Sequence, residues 1–116
     1  MNKKEFNRLE ALCKKAWKKL AKTGSSLKPN TVNYFLNCCP ACDLSSNGKA
    51  QNCKLCPIDL WRKKAIARRL GRGKAMCEKK GEYYHNWRHG DVATKKEAAN
   101  AISKLKWTFL PVYKDF

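Results

Sequence analysis

Between residues 2 and 22 the apolar side chains Phe6, Leu9, Cys13, Ala16, Trp17 and Leu20 recur every three or four positions, the spacing of one helix face. Lys14, Lys15, Lys18, Lys19 and Lys22 fall mostly on the other side, which predicts an amphipathic helix with a cationic face. Gly24 supplies a stop, because glycine enters the left-handed conformation that closes a helix at little steric cost. Pro29-Asn30 opens a short segment, 31–36, in which Val32, Tyr34, Phe35 and Leu36 are candidate core. From Asn37 to Pro57 the chain is rich in Cys, Pro, Asn, Ser and Gly, a loop-built stretch that no hydrophobic periodicity can order. Residues 58–73 return to a helical composition with Ile58, Leu60, Trp61, Ala65, Ile66 and Leu70, until Gly71 and Gly73 break it. Residues 74–92 show no regular period. Thr94-Lys95-Lys96-Glu97 is a capping box, predicting a helix over 94–107 with Ala98, Ala101, Ile102 and Leu105 inward. Trp107, Phe109, Val112, Tyr113 and Phe116 form an aromatic tail expected to pack back on the core.

The expected fold is mainly α: one small helical domain over residues 1–116, built around a four-cysteine zinc-binding loop. Its parts are a basic helix in 1–28, the zinc-binding loop at 37–57, a basic helix at 58–73 and a C-terminal helix at 94–107. A length of 116 residues suits one domain with a modest core, for which an added staple is valuable. With 43% apolar and 10% aromatic residues the composition is not that of a disordered chain. No apolar run approaches the ~18 residues of a membrane span. Met-Asn-Lys-Lys-Glu lacks the apolar stretch of a signal peptide, so a cytoplasmic location with reduced or metal-bound cysteines is expected.

Charge sharpens this picture. The net charge of +17 is segregated: residues 1–28 carry nine Lys/Arg against two Glu, residues 29–60 are neutral, and residues 61–80 carry nine Lys/Arg against one Glu. Two basic arms thus flank a neutral centre that holds five of the seven cysteines. Such a molecule attracts polyanions, and nucleic acid or a nucleoprotein is the expected partner. Lys14, Lys18, Arg62, Lys63, Arg68, Arg69 and Arg88 are the candidate phosphate contacts. An acidic protein surface is the alternative partner; neither a membrane nor a small-molecule substrate is suggested.

Cys39-Pro40-Ala41-Cys42 is followed, ten residues on, by Cys53-Lys54-Leu55-Cys56. Each Cys-x-x-Cys turn aims two sulfurs at one point, and two such turns supply the four thiolates of a tetrahedral Zn²⁺ site. Zinc binding contributes about 10–16 kcal/mol of apparent folding free energy in small sites, enough to order a loop with little apolar surface. Cys38 and Cys77 are alternate ligands, and an iron–sulfur cluster is the alternative cofactor, since it uses the same four thiolates. Cys13, on the apolar face of the first helix, reads as a buried thiol. Four sulfurs leave no open position on the metal, which argues for a structural ion.

His85 and His89 are four residues apart with Asn86 between them. On a helix both imidazoles would share a face, and a metal-dependent nuclease of the His-Asn-His kind is therefore a third class to weigh. The histidines are too close together for that motif, and only Asp91 lies nearby as a further acid. The plainer reading has Tyr84 and Trp87 packing inward while His85, Arg88 and His89 line the surface. Between the two, Tyr83, Trp87 and Arg88 are candidates for stacking on bases. Gly71-Arg72-Gly73-Lys74 is too short for a phosphate-binding loop and reads as a basic turn.

The order of these features, from Ala16-Trp17 and Thr23-Gly24 through Cys39-Pro40-x-Cys42, Cys53-x-x-Cys56-Pro57 and Cys77 to Tyr84-x-x-Trp87 and Ala98-Ala99…Ile102, resembles small cysteine-rich, zinc-finger-like accessory proteins of tailed bacteriophages. The resemblance spans roughly residues 10–106. It implies a zinc-finger-like protein acting in an infected bacterial cytoplasm, where such proteins often bind host or defence machinery; a host-directed inhibitor is the corresponding alternative function. Stoichiometric binding rather than catalytic turnover is the expected mode of action.

Overall fold

The computed structural model describes residues 1–25, Ala41, Leu44, Ser46 and residues 52–116. Helices α1 (Lys3–Thr23), α2 (Asp59–Ala67), α3 (Tyr83–His89) and α4 (Val92–Ser103) are joined by irregular segments and by 3-10 turns at Cys53–Leu55 and Pro111–Asp115. Among the described residues the β-structure is confined to two isolated bridges, Asn52 with Lys74 and Ile58 with Trp107. The mainly helical expectation holds. The segment 31–36 and Cys38, Cys39 and Cys42 lie outside the described residues.

Helix α1 follows its periodicity closely: Phe6, Leu9, Cys13, Ala16, Trp17 and Leu20 are its buried residues. Asn2 caps it by accepting the Glu5 N–H at 2.8 Å. Gly24 closes it at φ 65°, donating its N–H to Leu20 O at 2.9 Å. A Cβ on Gly24 would stand 2.7 Å from Val92 Cγ1, so the stop is also where α1 meets the start of α4.

Helix α4 begins at Val92, earlier than the Thr94 capping box predicts. Asp91 is the N-cap, its carboxylate accepting the Thr94 N–H at 2.8 Å. That charged acceptor outcompetes the Thr94 hydroxyl and leaves Thr94 inside the first turn. The helix also ends at Ser103, before the predicted 107, because Trp107 leaves it to pair with Ile58. Helix α2 is likewise shorter than the 58–73 predicted, ending at Ala67.

Helix α3 is the element that periodicity did not predict. Its seven residues bury Tyr84 and Trp87, whose rings meet Trp17 of α1 at 6.1 and 4.9 Å with near-perpendicular planes. Lys95 of α4 reaches back to donate to Trp87 O at 2.8 Å and Arg88 O at 3.0 Å, capping carbonyls that the end of α3 leaves open. Tertiary packing holds a helix too short to persist alone.

The C-terminal tail folds back as expected. Phe6 is ringed by Trp107, Phe109 and Tyr113 at 5.9, 5.2 and 5.9 Å between centroids. Such aromatic pairs contribute about 0.5–1.5 kcal/mol each beyond burial. Ala41, Leu44 and Ser46 are helical and buried within the stretch expected to be loop; Ala41 and Leu44, one turn apart, join the core.

Candidate functional site

The Cys-x-x-Cys at 53–56 is a tight 3-10 turn, with Leu55 N–H donating to Asn52 O at 3.0 Å and Cys56 N–H to Cys53 O at 3.1 Å. Cys53, Cys56 and Cys77 are all buried, and no disulfide joins them to one another or to Cys13. Cys13, 1% exposed, is the buried helix residue expected.

A second strand of chain crosses this turn. Lys74 bridges to Asn52, Lys74 O lies 3.4 Å from Cys53 Sγ, and the Met76 N–H donates to the same sulfur at 3.3 Å. The Cys53 sulfur thus accepts from the Met76 amide, which favours a thiolate, and as a thiol donates to Lys74 O, which favours the protonated form. Met76 and Cys77 are thereby carried to the edge of the Cys53 turn and buried there.

Beneath the turn the C-terminal residues form a support. The Tyr113 hydroxyl donates to Leu55 O. Arg62 donates to Cys56 O at 3.2 Å and to Asp59 Oδ1 at 2.9 Å, and the Thr108 hydroxyl donates to that same carboxylate oxygen at 2.6 Å. Asp59 N–H donates to Lys106 O, and Thr108 N–H to Pro57 O. Burial works to raise the Asp59 pKa, but the Thr108 and Arg62 hydrogen bonds outweigh it and hold the carboxyl below its ordinary value. Burial drives the Tyr113 hydroxyl far above its ordinary range, and the nearby Cys56 sulfur pushes in the same direction.

These features fit a metal ligand pair: two buried sulfurs on one turn, one with an amide donor, on a braced backbone. In the expected four-thiolate set Cys53 and Cys56 would be one half; Cys39 and Cys42, the expected other half, are not among the described residues. Within the described residues no three Cys, His, Asp or Glu side chains converge on one point.

The basic residues divide into two groups. Arg62, its side chain 11% exposed, is built into the support beneath Cys56 rather than standing in open solvent. Lys14 is paired with Glu10 at 2.7 Å and is 28% exposed. Arg88 lies 3.6 Å from Glu78 but stays 58% exposed. Lys64 joins Glu82, with Nζ at 3.0 and 2.8 Å from its two carboxylate oxygens, and the Trp61 indole N–H donates to Glu82 at 3.0 Å. In contrast, Lys18, Lys63, Arg68 and Arg69 are exposed, and none of them forms an ion pair among the described residues.

Sequence reasoning missed the conformation of Arg69. Helix α2 ends in a Schellman motif, with Leu70 N–H donating to Ala65 O at 2.9 Å and Arg69 N–H to Ile66 O at 3.1 Å. Arg69 occupies the left-handed position of that motif at φ 51°, where glycine is the usual residue. From Arg68 to Lys74 all residues except half-buried Leu70 are exposed, and the stretch holds four cations and no acid. The base of this basic turn is the Lys74–Met76 segment that lies on Cys53.

On α3 the plainer reading holds for Tyr84 and Trp87, both buried. Trp87 is 2% exposed and its indole N–H donates to Ser25 O at 3.0 Å, so it cannot stack on a base as proposed from the sequence. Tyr83 and Arg88 are exposed. His85 and His89 do share a face, with ring centres 4.6 Å apart. Among the described residues no helix is long and apolar enough to cross a membrane. No protein-family model matches this chain, and neither a curated protein nor a solved structure shows significant similarity to it.

Proposed function

We propose that this is a small basic zinc-binding protein that holds nucleic acid, or the nucleic acid of a nucleoprotein, by stoichiometric contact in a bacterial cytoplasm, as the phage-type resemblance implies. The cysteine centre acts as a clamp and the Arg68–Lys74 turn as the phosphate-contacting element, assisted by Lys63 and by the Lys18 face of α1. Zn²⁺ held by Cys53 and Cys56 with Cys39 and Cys42 would supply structural cross-linking, leaving no open position for chemistry.

The observation that carries this reading is Arg69. An L-residue in the left-handed region is strained, and such strain persists where the side chain has a use. Here it lifts a guanidinium into solvent on an acid-free turn. Guanidinium groups recognise phosphate oxygens by paired N–H donors, which a lysine does not reproduce.

Electrophoretic titration with duplex and single-stranded DNA and RNA at several salt concentrations tests it. Each phosphate contacted on duplex DNA contributes a log–log slope of about −0.9, so four contacts give a slope near −3.6. Affinity independent of salt refutes the reading. A protein partner retained from nuclease-treated lysate, with no nucleic acid bound in the titration, identifies an acidic protein surface as the true target.

A further inference from the structure

His85 and His89 face a cavity of about 210 Å³ that Glu78, Tyr84 and Arg88 also line. Tyr84, which with Trp87 packs against Trp17 of α1, thus also forms part of the cavity wall. Neither the cysteine centre nor the basic turn uses this pair of histidines.

The local hydrogen bonding selects the tautomer of one ring. His85 Nδ1 stands 3.1 Å from the Glu78 backbone carbonyl oxygen. A carbonyl oxygen only accepts, so whenever the ring is neutral Nδ1 carries the proton and the Nε2 lone pair is available. This is the arrangement of metal-binding histidines, in which the second ring nitrogen donates to a carbonyl or carboxylate that fixes the tautomer. The second ring fits the same ion. Metal–nitrogen bonds of ~2.0–2.1 Å place the centres of two imidazoles on one ion roughly 4.5–5 Å apart. The two rings stand at 4.6 Å, tilted by 46°. The Arg88 charge opposes a cation here, but the Glu78 carboxylate lies 3.6 Å from its guanidinium and offsets it.

We infer that His85 and His89 form a second, solvent-facing site for a borderline divalent cation of the Zn²⁺, Ni²⁺ or Cu²⁺ type, separate from the cysteine centre. Two imidazoles occupy two positions of the ion and water fills the rest, so the ion exchanges freely. Imidazole suits these metals, whereas Mg²⁺ and Ca²⁺ prefer oxygen and are not held.

Nickel titration of the zinc-loaded protein, followed by ¹⁵N-edited NMR of the imidazoles and by calorimetry, tests the site. Expected is one equivalent of nickel, with both histidine signals broadened or shifted. His85→Gln and His89→Gln each lower the affinity about tenfold or more, at least the loss caused by removing an outer-sphere partner. Both rings are at the surface, so circular dichroism of the variants stays native, and magnesium moves neither signal. Equal nickel binding by wild type and the His85→Gln/His89→Gln double variant overturns the inference, as does nickel binding that leaves the imidazole signals unmoved. Loss of the basic-turn reading would leave this result untouched, because the readouts are metal uptake and the two imidazole signals.

Discussion

The Met76 amide points at the Cys53 sulfur from 3.3 Å, joining two residues 23 apart in the chain. It couples the conformation of the basic turn to the state of the cysteine. If Cys53 becomes a thiolate ligand, this hydrogen bond strengthens, because bonds to charged acceptors are roughly twice as strong as neutral ones. Metal loading at Cys53 would therefore be linked to the order of the Arg68–Lys74 turn.

The first prediction concerns that linkage. The purified protein is expected to carry one equivalent of zinc by native mass spectrometry, and Cys53→Ala or Cys56→Ala to lose it. Cys13→Ala keeps the metal and lowers stability only by the small-cavity cost, about 1 kcal/mol. Amide exchange at Met76 accelerates in the Cys53→Ala variant. A Cys53→Ala protein that retains one full equivalent of zinc excludes Cys53 as a ligand.

Arg69→Gly separates stability from binding. Glycine relieves the strain of the left-handed position, so urea unfolding shifts towards higher stability by about 1 kcal/mol. Affinity for nucleic acid falls in the same protein, and the salt slope loses close to one contact. A variant that is more stable and binds as tightly as wild type removes Arg69 from the interface.

Glu82 accepts from the Trp61 indole and from Lys64 while only 7% exposed. Glu82→Ala strands the indole N–H and costs about 1–3 kcal/mol. Glu82→Gln keeps an acceptor for it and costs less. Lys64→Ala costs more than loss of an exposed ion pair would, because it leaves the buried Glu82 carboxylate without its cation. Denaturant midpoints of the three variants check this; a Glu82→Gln loss as large as that of Glu82→Ala contradicts the arrangement.

Asp59 sets an acid dependence. Its carboxyl is held below the ordinary value of 3.8, so the folded state favours the ionised form. The stabilisation is fully present above the ordinary carboxylate range and is lost as pH falls through the depressed folded value. Asp59→Asn therefore lowers stability at pH 7 and flattens the decline of Tm below about pH 4. A parallel decline in wild type and variant counts against this assignment.

The sequence by itself determined α1 in full. Its stripe of Phe6, Cys13, Trp17 and Leu20 is a local pattern, and Gly24 stops it by a local backbone rule. It also identified the cationic segment 61–80 and the Cys53–Cys56 turn, because charge and Cys-x-x-Cys spacing are properties of adjacent residues. Tertiary structure alone decided the rest. Helix α3 exists because Trp17 and Lys95, distant in sequence, cover one side and one end of it. Arg62 and Arg69 look alike in the chain, yet one braces Cys56 and the other stands in solvent. Whether a cation is paired depends on which carboxylates and carbonyls the fold brings within about 3 Å, and that proximity is set by long-range packing rather than by neighbouring residues.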